Sequence, residues 1–297
     1  MTSWIVLAAL AQLISAAIVL VDKYVLVSHA HLGKPVVYAF YISIMSGFVL
    51  VLVPFGVISI PSLAVLALSM LASVTFIFSV LFLYTALKRG NASDAIPIVG
   101  AVSAVVTAHL AFVFLHQDLP RAFIPAFLLL VIGTVLISHF KLTWNSLGLV
   151  VVAGVFFAAS AILIKLIFLE TSFLDGFFWS RMTNVVGALF LLAVPSNRKA
   201  IFYGYHASSH KMRWLVVSNK TLGGVAAFLT LLAISMGSVT IVNAMAGLQF
   251  VFLLSFAFFC ARWFPAVFKG EIHPHQFPHQ VYGILCIVAG LAALFLV

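Results

Sequence analysis

The chain has 297 residues, of which 65% are hydrophobic and 7% are charged, and its formal net charge is +9. Soluble domains carry about 45–50% apolar and about 25% charged residues, so this composition excludes an ordinary soluble domain. The basic residues stand mainly between long apolar runs, where membrane orientation places them, and therefore do not indicate binding to nucleic acid. The composition predicts an integral membrane protein surrounded by a lipid bilayer.

Ten apolar runs fill nearly the whole chain. About 20 apolar residues cross a bilayer as a helix, and the runs lack the alternating pattern of a membrane-barrel strand. The sequence therefore predicts an all-α integral membrane fold with ten transmembrane helices. The predicted spans are Trp4–Val27, Pro35–Phe55, Ser62–Leu87, Ala92–Leu115, Ala122–Phe140, Leu147–Phe168, Ser172–Val194, Trp214–Ser235, Val239–Phe264 and Phe277–Val297.

The last five spans repeat features of the first five. ALKRGNASDAIPIVGAVSAVV around Gly90 aligns without a gap on AISMGSVTIVNAMAGLQFVFL around Gly237, and Gly133 in the fifth span aligns on Gly290 in the tenth. Because five is odd, the second copy must enter the bilayer from the opposite face. We therefore expect two inverted five-helix repeats, residues 1–141 and 142–297, an arrangement from which many alternating-access carriers are built.

The basic residues predict an orientation. Lysines and arginines cluster in the connections after spans one, three, five, seven and nine, whereas the other connections carry only Arg121. The positive-inside rule then places those odd-numbered connections in the cytoplasm and both termini outside.

Several motifs point to a family. ALKRGNAS closes span three, AISMGSVT echoes it after span eight, and the final helix of each half has spaced glycines; a lysine also lies late in the first helix of each half, Lys23 in VLVDKYVL and Lys165 in ILIKLIFL. With these features the chain resembles the drug/metabolite transporter superfamily, specifically the EamA-type ten-helix transporters.

That resemblance implies a central cavity lined by spans one to four and six to nine, with spans five and ten packed at the back. It also implies carriage of small metabolites, often by export or exchange, and cytoplasmic termini, opposite to the charge-based orientation. Members usually have a Gly-Glu pair after spans four and nine. Here LHQDLP offers Asp118 at the first position, and CARWFP has Arg262 near the second.

The few acidic residues all fall at or near span ends. They are Asp22, Asp94, Asp118, Glu170, Asp175 and Glu271. Charges at membrane depth are costly and usually functional. The lack of a mid-membrane carboxylate disfavours an antiporter that binds a cation and protons on one buried glutamate.

Three cations lie within spans, namely Lys165, Arg181 and Lys220. Long side chains near helix ends can carry their charge to the interface, and Glu170 is an expected partner for Lys165. Asn184 follows Arg181 at helical spacing, and Asn219 directly precedes Lys220. This clustering predicts a water-filled cavity that attracts a substrate carrying a carboxylate or a phosphate.

Other polar residues have two interpretations. Asn243 and Gln249 flank the small-residue stretch NAMAG in span nine, and Gln12, Tyr84 and His109 lie in other spans. Each contacts substrate or forms a hydrogen bond between helices. His109 is also expected to be a buried group that titrates near neutral pH, which makes it a candidate proton carrier.

The connections offer little sign of cofactor chemistry. His273, His275 and His279 lie in a proline-rich connection without the spacing of a metal site, so we predict no metal and no cofactor. The basic stretch SNRKAIFYGYHASSHKMRW is expected to meet anionic lipid head groups. Pro97, Gly100 and the Gly223-Gly224 pair are expected to act either as bending points for gating or as close-packing positions.

The sequence favours a secondary transporter that moves a small metabolite, anionic or zwitterionic, by alternating access in a bacterial plasma membrane, as a monomer or homodimer. The alternative is an integral-membrane enzyme or accessory protein acting on lipid-linked substrates. Paired carboxylates, a metal-ligand set and a nucleophile triad are not evident in the sequence, so we expect no enzymatic activity.

Overall fold

The computed structural model describes residues 3–28, 34–90, 92–119, 121–137, 143–206, 209–260 and 277–296. Throughout these ranges the regular structure is helical, which confirms the all-α prediction. The α-helices are α1 (Ser3–Ser28), α2 (Pro35–Met45), α3 (Leu63–Arg89), α4 (Ala92–Leu115), α5 (Ile124–Ile137), α6 (Trp144–Glu170), α7 (Phe173–Ala193), α8 (Pro195–His206), α9 (His210–Met236), α10 (Val239–Ala244), α11 (Ala246–Cys260) and α12 (Phe277–Leu296).

Among the described residues, eight helical segments are long and apolar enough to cross a membrane. They are Ser3–Leu26, Pro35–Phe55, Leu63–Arg89, Asp94–Leu115, Trp144–Glu170, Phe173–Ala193, His210–Met236 and Val239–Phe256. Two shorter apolar helices, Ile124–Leu136 and Val281–Ala293, lie within the predicted fifth and tenth spans. The protein is therefore a multi-pass integral membrane protein, and the count of ten spans remains a prediction.

Hydroxyl caps set where several helices begin. The side chain of Ser209 accepts a hydrogen bond from the amide of Met212, so α9 begins at His210, four residues before the predicted start. Thr143 caps α6 in the same way through the amide of Ser146. The N-terminal ends of these helices thus follow from short polar residues that an apolar window does not register.

Helix α8 was not predicted, because its sequence PSNRKAIFYGYH is too polar to be read as a span. Pro195 at its first position is favourable, since proline lacks the amide hydrogen that a first turn leaves unpaired. Ile201 is buried, whereas Phe202 and Tyr203 are exposed. The basic stretch expected to meet lipid head groups therefore begins as a short helix.

A groove lies where α7 meets α8. It has a volume of about 430 Å³ and is lined by Leu192, Ala193, Pro195, Arg198, Lys199 and Phe202. Two cations and several apolar side chains thus share one surface.

Two spans are interrupted. The second changes from α-helix to 3-10 helix over Ser46–Phe55, and the ninth breaks at Met245 between α10 and α11. By contrast, α4 is continuous through Pro97 and α9 is continuous through Gly223 and Gly224. The departures from α-helical geometry therefore do not coincide with the expected bending points at Pro97 and the Gly223-Gly224 pair.

Glycines bring α5 and α12 into close contact. A Cβ atom added at Gly133 would lie 2.6 Å from the carbonyl oxygen of Gly283, and one added at Gly290 would lie 2.9 Å from that of Ala126. Each glycine thus faces the residue seven positions before the other. Larger residues at either position would push these backbones apart.

Candidate functional site

A buried ion pair joins α1 and α9. One oxygen of Asp22 lies 2.6 Å from Lys220 Nζ, and the other lies 2.8 Å from the same nitrogen. Asp22 also accepts hydrogen bonds from the Tyr84 hydroxyl at 2.7 Å and from Asn219 Nδ2 at 2.7 Å. The carboxylate therefore has four hydrogen bonds, from two helices other than its own.

Two tyrosines enclose the ammonium group of Lys220. Its Nζ atom lies 4.5 Å from the ring centroid of Tyr38 on α2 and donates to the Tyr84 hydroxyl at 3.2 Å. The two rings meet edge to face with centroids 5.1 Å apart. We call Asp22, Tyr38, Tyr84, Asn219 and Lys220 the Asp22 cluster. Its formal charge is zero, and it joins four helices.

This geometry corrects one prediction. Lys220 was expected to face a water-filled cavity, but its side chain is only 4% exposed and its charge is paired with Asp22. The sequence correctly placed Asp22 near a span end, six residues before the last residue of α1. A position near a helix end does not make a side chain solvated, however, and the side chain of Asp22 is 3% exposed.

A second buried polar group, around Arg181, contains no ion pair within the described residues. Arg181 on α7 is 9% exposed, and its guanidinium carbon lies 5.8 Å from the ring centroid of Phe76. Arg181 Nε and Asn184 Nδ2 are both buried, and neither has a hydrogen-bond partner among the described residues. We call Arg181, Asn184 and Phe76 the Arg181 site. Within the described residues it presents donors without acceptors.

Hydrogen bonds between helices hold α7 against α3 beside the Arg181 site. Thr183 Oγ1 donates to the carbonyl oxygen of Ser69 at 2.9 Å, and Ser73 Oγ donates to the carbonyl oxygen of Thr183 at 2.9 Å. Because the unpartnered donors lie on a helix fixed in this way, their orientation is set before any ligand binds.

The other buried cations lie at helix C-termini. Lys23 Nζ donates to the carbonyl oxygens of Leu87, at 2.7 Å, and Gly90 at the end of α3. Lys165 Nζ donates to those of Ile234, at 2.8 Å, and Gly237, at 2.9 Å, at the end of α9. Helix C-termini carry partial negative charge, which compensates both lysines.

The expected pairing of Lys165 with Glu170 is wrong. Lys165 Nζ bonds to backbone oxygens, including that of Ser235 at 3.4 Å, while Glu170 is exposed at the end of α6. The lysine side chain is long enough to reach the neighbouring helix end, where several carbonyl groups converge.

The other two buried carboxylates lie at helix N-termini. Asp94 is in the first turn of α4, and Asp175, in the first turn of α7, accepts a hydrogen bond from the amide of Ser59 at 2.7 Å. Partial positive charge at a helix N-terminus favours both. Within the described ranges, Arg181 is therefore the buried charge that neither a helix end nor an ion pair compensates.

The remaining predicted residues lie outside both sites. Asn243 Nδ2 donates to Thr107 Oγ1 at 2.7 Å and to Ser103 Oγ at 3.4 Å, which joins α10 to α4 and favours the interhelical interpretation. Gln12 on α1 is buried, and Gln249 on α11 is half-buried.

His109 was expected to be buried and is exposed instead. Thr107, two residues earlier on α4, is buried. Two helical residues are separated by about 200° around the axis, so His109 faces away from the helix neighbours that Thr107 contacts. It therefore cannot act as a buried proton carrier in this state. His273 and His275, like Arg262 and Glu271, lie outside the described residues.

Comparison with known proteins shows the fold. No family model matches the chain, and no curated protein matches it. Among 19 matching chains of known structure, one described as "Crystal structure of protein" has a TM-score of 0.63 and 12% sequence identity over 96% of this chain and 97% of its own. The chain is thus an all-α, multi-pass membrane protein whose helical arrangement occurs in a solved structure.

Proposed function

We propose that this protein is a secondary transporter for a small organic anion or zwitterion, and that Arg181 anchors the anionic group. The main support for this proposal is that Arg181 is buried at membrane depth without a counter-ion in the described part of the chain. An uncompensated buried cation is costly. A carboxylate or phosphate from a substrate would remove that cost.

The donor set suits an oxyanion. Arginine presents a planar array of N–H groups that binds carboxylate or phosphate through two parallel hydrogen bonds. Arg181 Nε and Asn184 Nδ2 lie one helical turn apart on α7, and the part of the chain that the structure describes offers neither an acceptor. Together they offer donors to a ligand with at least two oxygens. The ring of Phe76 covers part of the guanidinium group.

We infer that the chain consists of two inverted five-helix repeats with ten spans. Matching contacts support this proposal. Lys23 binds Gly90 and the residue three before it, and Lys165 binds Gly237 and the residue three before it. Gly133 and Gly290 also make matching contacts, because each lies against the residue seven positions before the other. Such a pair of halves can alternate in exposing a central site.

The proposed class is that of EamA-type carriers in a bacterial plasma membrane, and a monomer contains the whole Arg181 site. In this state the Asp22 cluster joins α1 of the first half to α9 of the second. Alternating access requires the halves to move apart on that side and then close on the other.

Counterflow in proteoliposomes tests the proposal. Vesicles containing purified protein are loaded with unlabelled lactate, succinate, glutamate or phosphoenolpyruvate, and each labelled compound is added outside. A carrier accumulates label transiently and saturably for at least one of these probes. The Arg181→Ala variant should lose more than about 100-fold in transport efficiency, because a buried anion without its cationic partner costs about 3–5 kcal/mol and about 1.4 kcal/mol corresponds to a factor of ten.

Arg89→Ala is the matched control, since Arg89 is exposed at the end of α3. Equal counterflow in wild-type and Arg181→Ala proteins would contradict the anchoring role. Recovery of chemically altered probe would instead favour the membrane-enzyme alternative.

A further inference from the structure

We propose that Asp22 is a proton-binding site, and that this protein carries one proton together with each monovalent anion. This inference rests on the proposed transport function. It concerns a residue that sequence position alone did not select, because Asp22 lies near the end of α1. The side chain is nevertheless enclosed by α2, α3 and α9.

The first step concerns the state that the structure represents. Asp22 accepts hydrogen bonds from Lys220, Tyr84 and Asn219. All of these bonds favour the ionised carboxylate. The cluster is therefore assembled around the ion pair of Asp22 with Lys220.

The second step concerns movement. Asp22 lies on α1, whereas three of its four hydrogen bonds come from Lys220 and Asn219 on α9. Asn219 also donates to the carbonyl oxygen of Ile18 on α1 at 3.2 Å. Any opening between α1 and α9 separates the carboxylate from its counter-ion. A lone carboxylate at this depth is unfavourable, and a proton from water entering the opened side neutralises it.

The third step concerns charge balance. With Asp22 ionised, Lys220 and Arg181 give the two sites a combined charge of +1. After one proton binds Asp22 and one monoanion binds Arg181, the combined charge is again +1. The two sites thus carry the same charge with and without the bound proton and anion. The change between outward-facing and inward-facing states therefore has a similar electrostatic cost in both cases.

Few other titratable groups face Asp22. Tyr84 on α3 and Tyr38 on α2 belong to the cluster, and the neighbouring Lys23 is directed to the end of α3. Helix α11, which also packs on α1, contains no acidic, basic or histidine residue. Helix α4 carries Asp94 in its first turn and His109 on an exposed face.

Proton movement is measured with pyranine trapped inside proteoliposomes, using whichever of lactate, succinate, glutamate or phosphoenolpyruvate shows counterflow. For wild-type protein, adding a monovalent probe outside should acidify the interior by about one proton per anion. Counterflow without any proton movement would overturn the inference while leaving the proposed transport function intact. Absence of counterflow for all probes would count against both.

Variants then locate the proton site. Asp22→Asn mimics the protonated carboxyl group, so a folded variant should retain counterflow and lose probe-driven acidification. Asp175→Asn, in the first turn of α7, is the control and should keep acidification. Continued acidification in Asp22→Asn would overturn the assignment. If that variant misfolds, Asp22→Glu decides, because a retained carboxylate should retain acidification, and its loss there would contradict the proposal.

Discussion

The ammonium nitrogen of Lys165 lies 2.9 Å from the carbonyl oxygen of Gly237, and that of Lys23 is hydrogen-bonded to the equivalent Gly90. Lys23 comes from α1 and binds the end of α3, and Lys165 comes from α6 and binds the end of α9. Lys165, which the sequence predicted as a possible substrate ligand, thus donates its hydrogen bonds to backbone carbonyl groups. Its charge compensates carbonyl groups that a helix end leaves unpaired.

Lys165→Met should destabilise the protein by about 1.5–3 kcal/mol, the usual contribution of a hydrogen bond to a charged group. Methionine retains the length of the side chain but donates no hydrogen bond to Ile234 or Gly237. Thermal unfolding of the purified protein measures the effect. Lys88→Met, at an exposed position near the end of α3, should change stability little. Equal stability of the Lys165 and Lys88 variants would show that the carbonyl contacts contribute nothing.

Gly133→Ala and Gly290→Ala should each destabilise the α5–α12 contact by about 1–3 kcal/mol, because the added methyl group overlaps backbone atoms of the facing helix. The nearest backbone oxygens would be 2.6 Å and 2.9 Å from the new Cβ atoms. Gly148→Ala is the control, since a Cβ there meets nothing within 4 Å. Unfolding temperatures unchanged at Gly133 and Gly290 would mean that the helices can separate freely.

Asn184→Asp should supply a counter-ion for Arg181, which has none within the described ranges. We expect stabilisation by about 1.5–3 kcal/mol from the new charge-assisted hydrogen bond, together with loss of anion transport, since the site would be filled. Unfolding and counterflow are measured on the same preparation. The same substitution at Asn243, which already bonds to Thr107, places a carboxylate without a cation and should destabilise. A functional Asn184→Asp transporter would place the substrate anion elsewhere.

The α7–α8 groove should bind an anionic phospholipid. A basic residue near a charged membrane surface contributes about 1 kcal/mol to such binding, so phosphatidylglycerol should stabilise wild-type protein more than phosphatidylcholine does. Replacing Arg198 and Lys199 by serine should remove most of that difference. Lys88 and Arg89 form an exposed basic pair that does not line the groove. Replacing both by serine should leave most of the difference between the two lipids. If both double variants respond alike, general surface charge explains the binding.

The sequence predicted the helices well because lipid imposes a length and an apolar composition on each span. It also drew attention to Arg181 and Asn184, since polar residues one turn apart in an apolar helix are conspicuous, and their role as a substrate site stays a prediction. It could not predict that Asp22 pairs with Lys220, because these residues are 198 positions apart. The exposure of His109 was equally hidden, since a helix that is apolar all round shows no pattern that distinguishes a packed face from a lipid face.

The 3-10 helix of the second span has a geometric consequence. Ten residues, Ser46–Phe55, adopt this tighter coil, which rises about 2.0 Å per residue against about 1.5 Å in an α-helix. Rewinding the segment to α geometry would shorten it by about 5 Å. The segment packs on α7, the helix that carries Arg181. A change in the length of the segment would therefore change the packing around that helix without any bend in α7 itself.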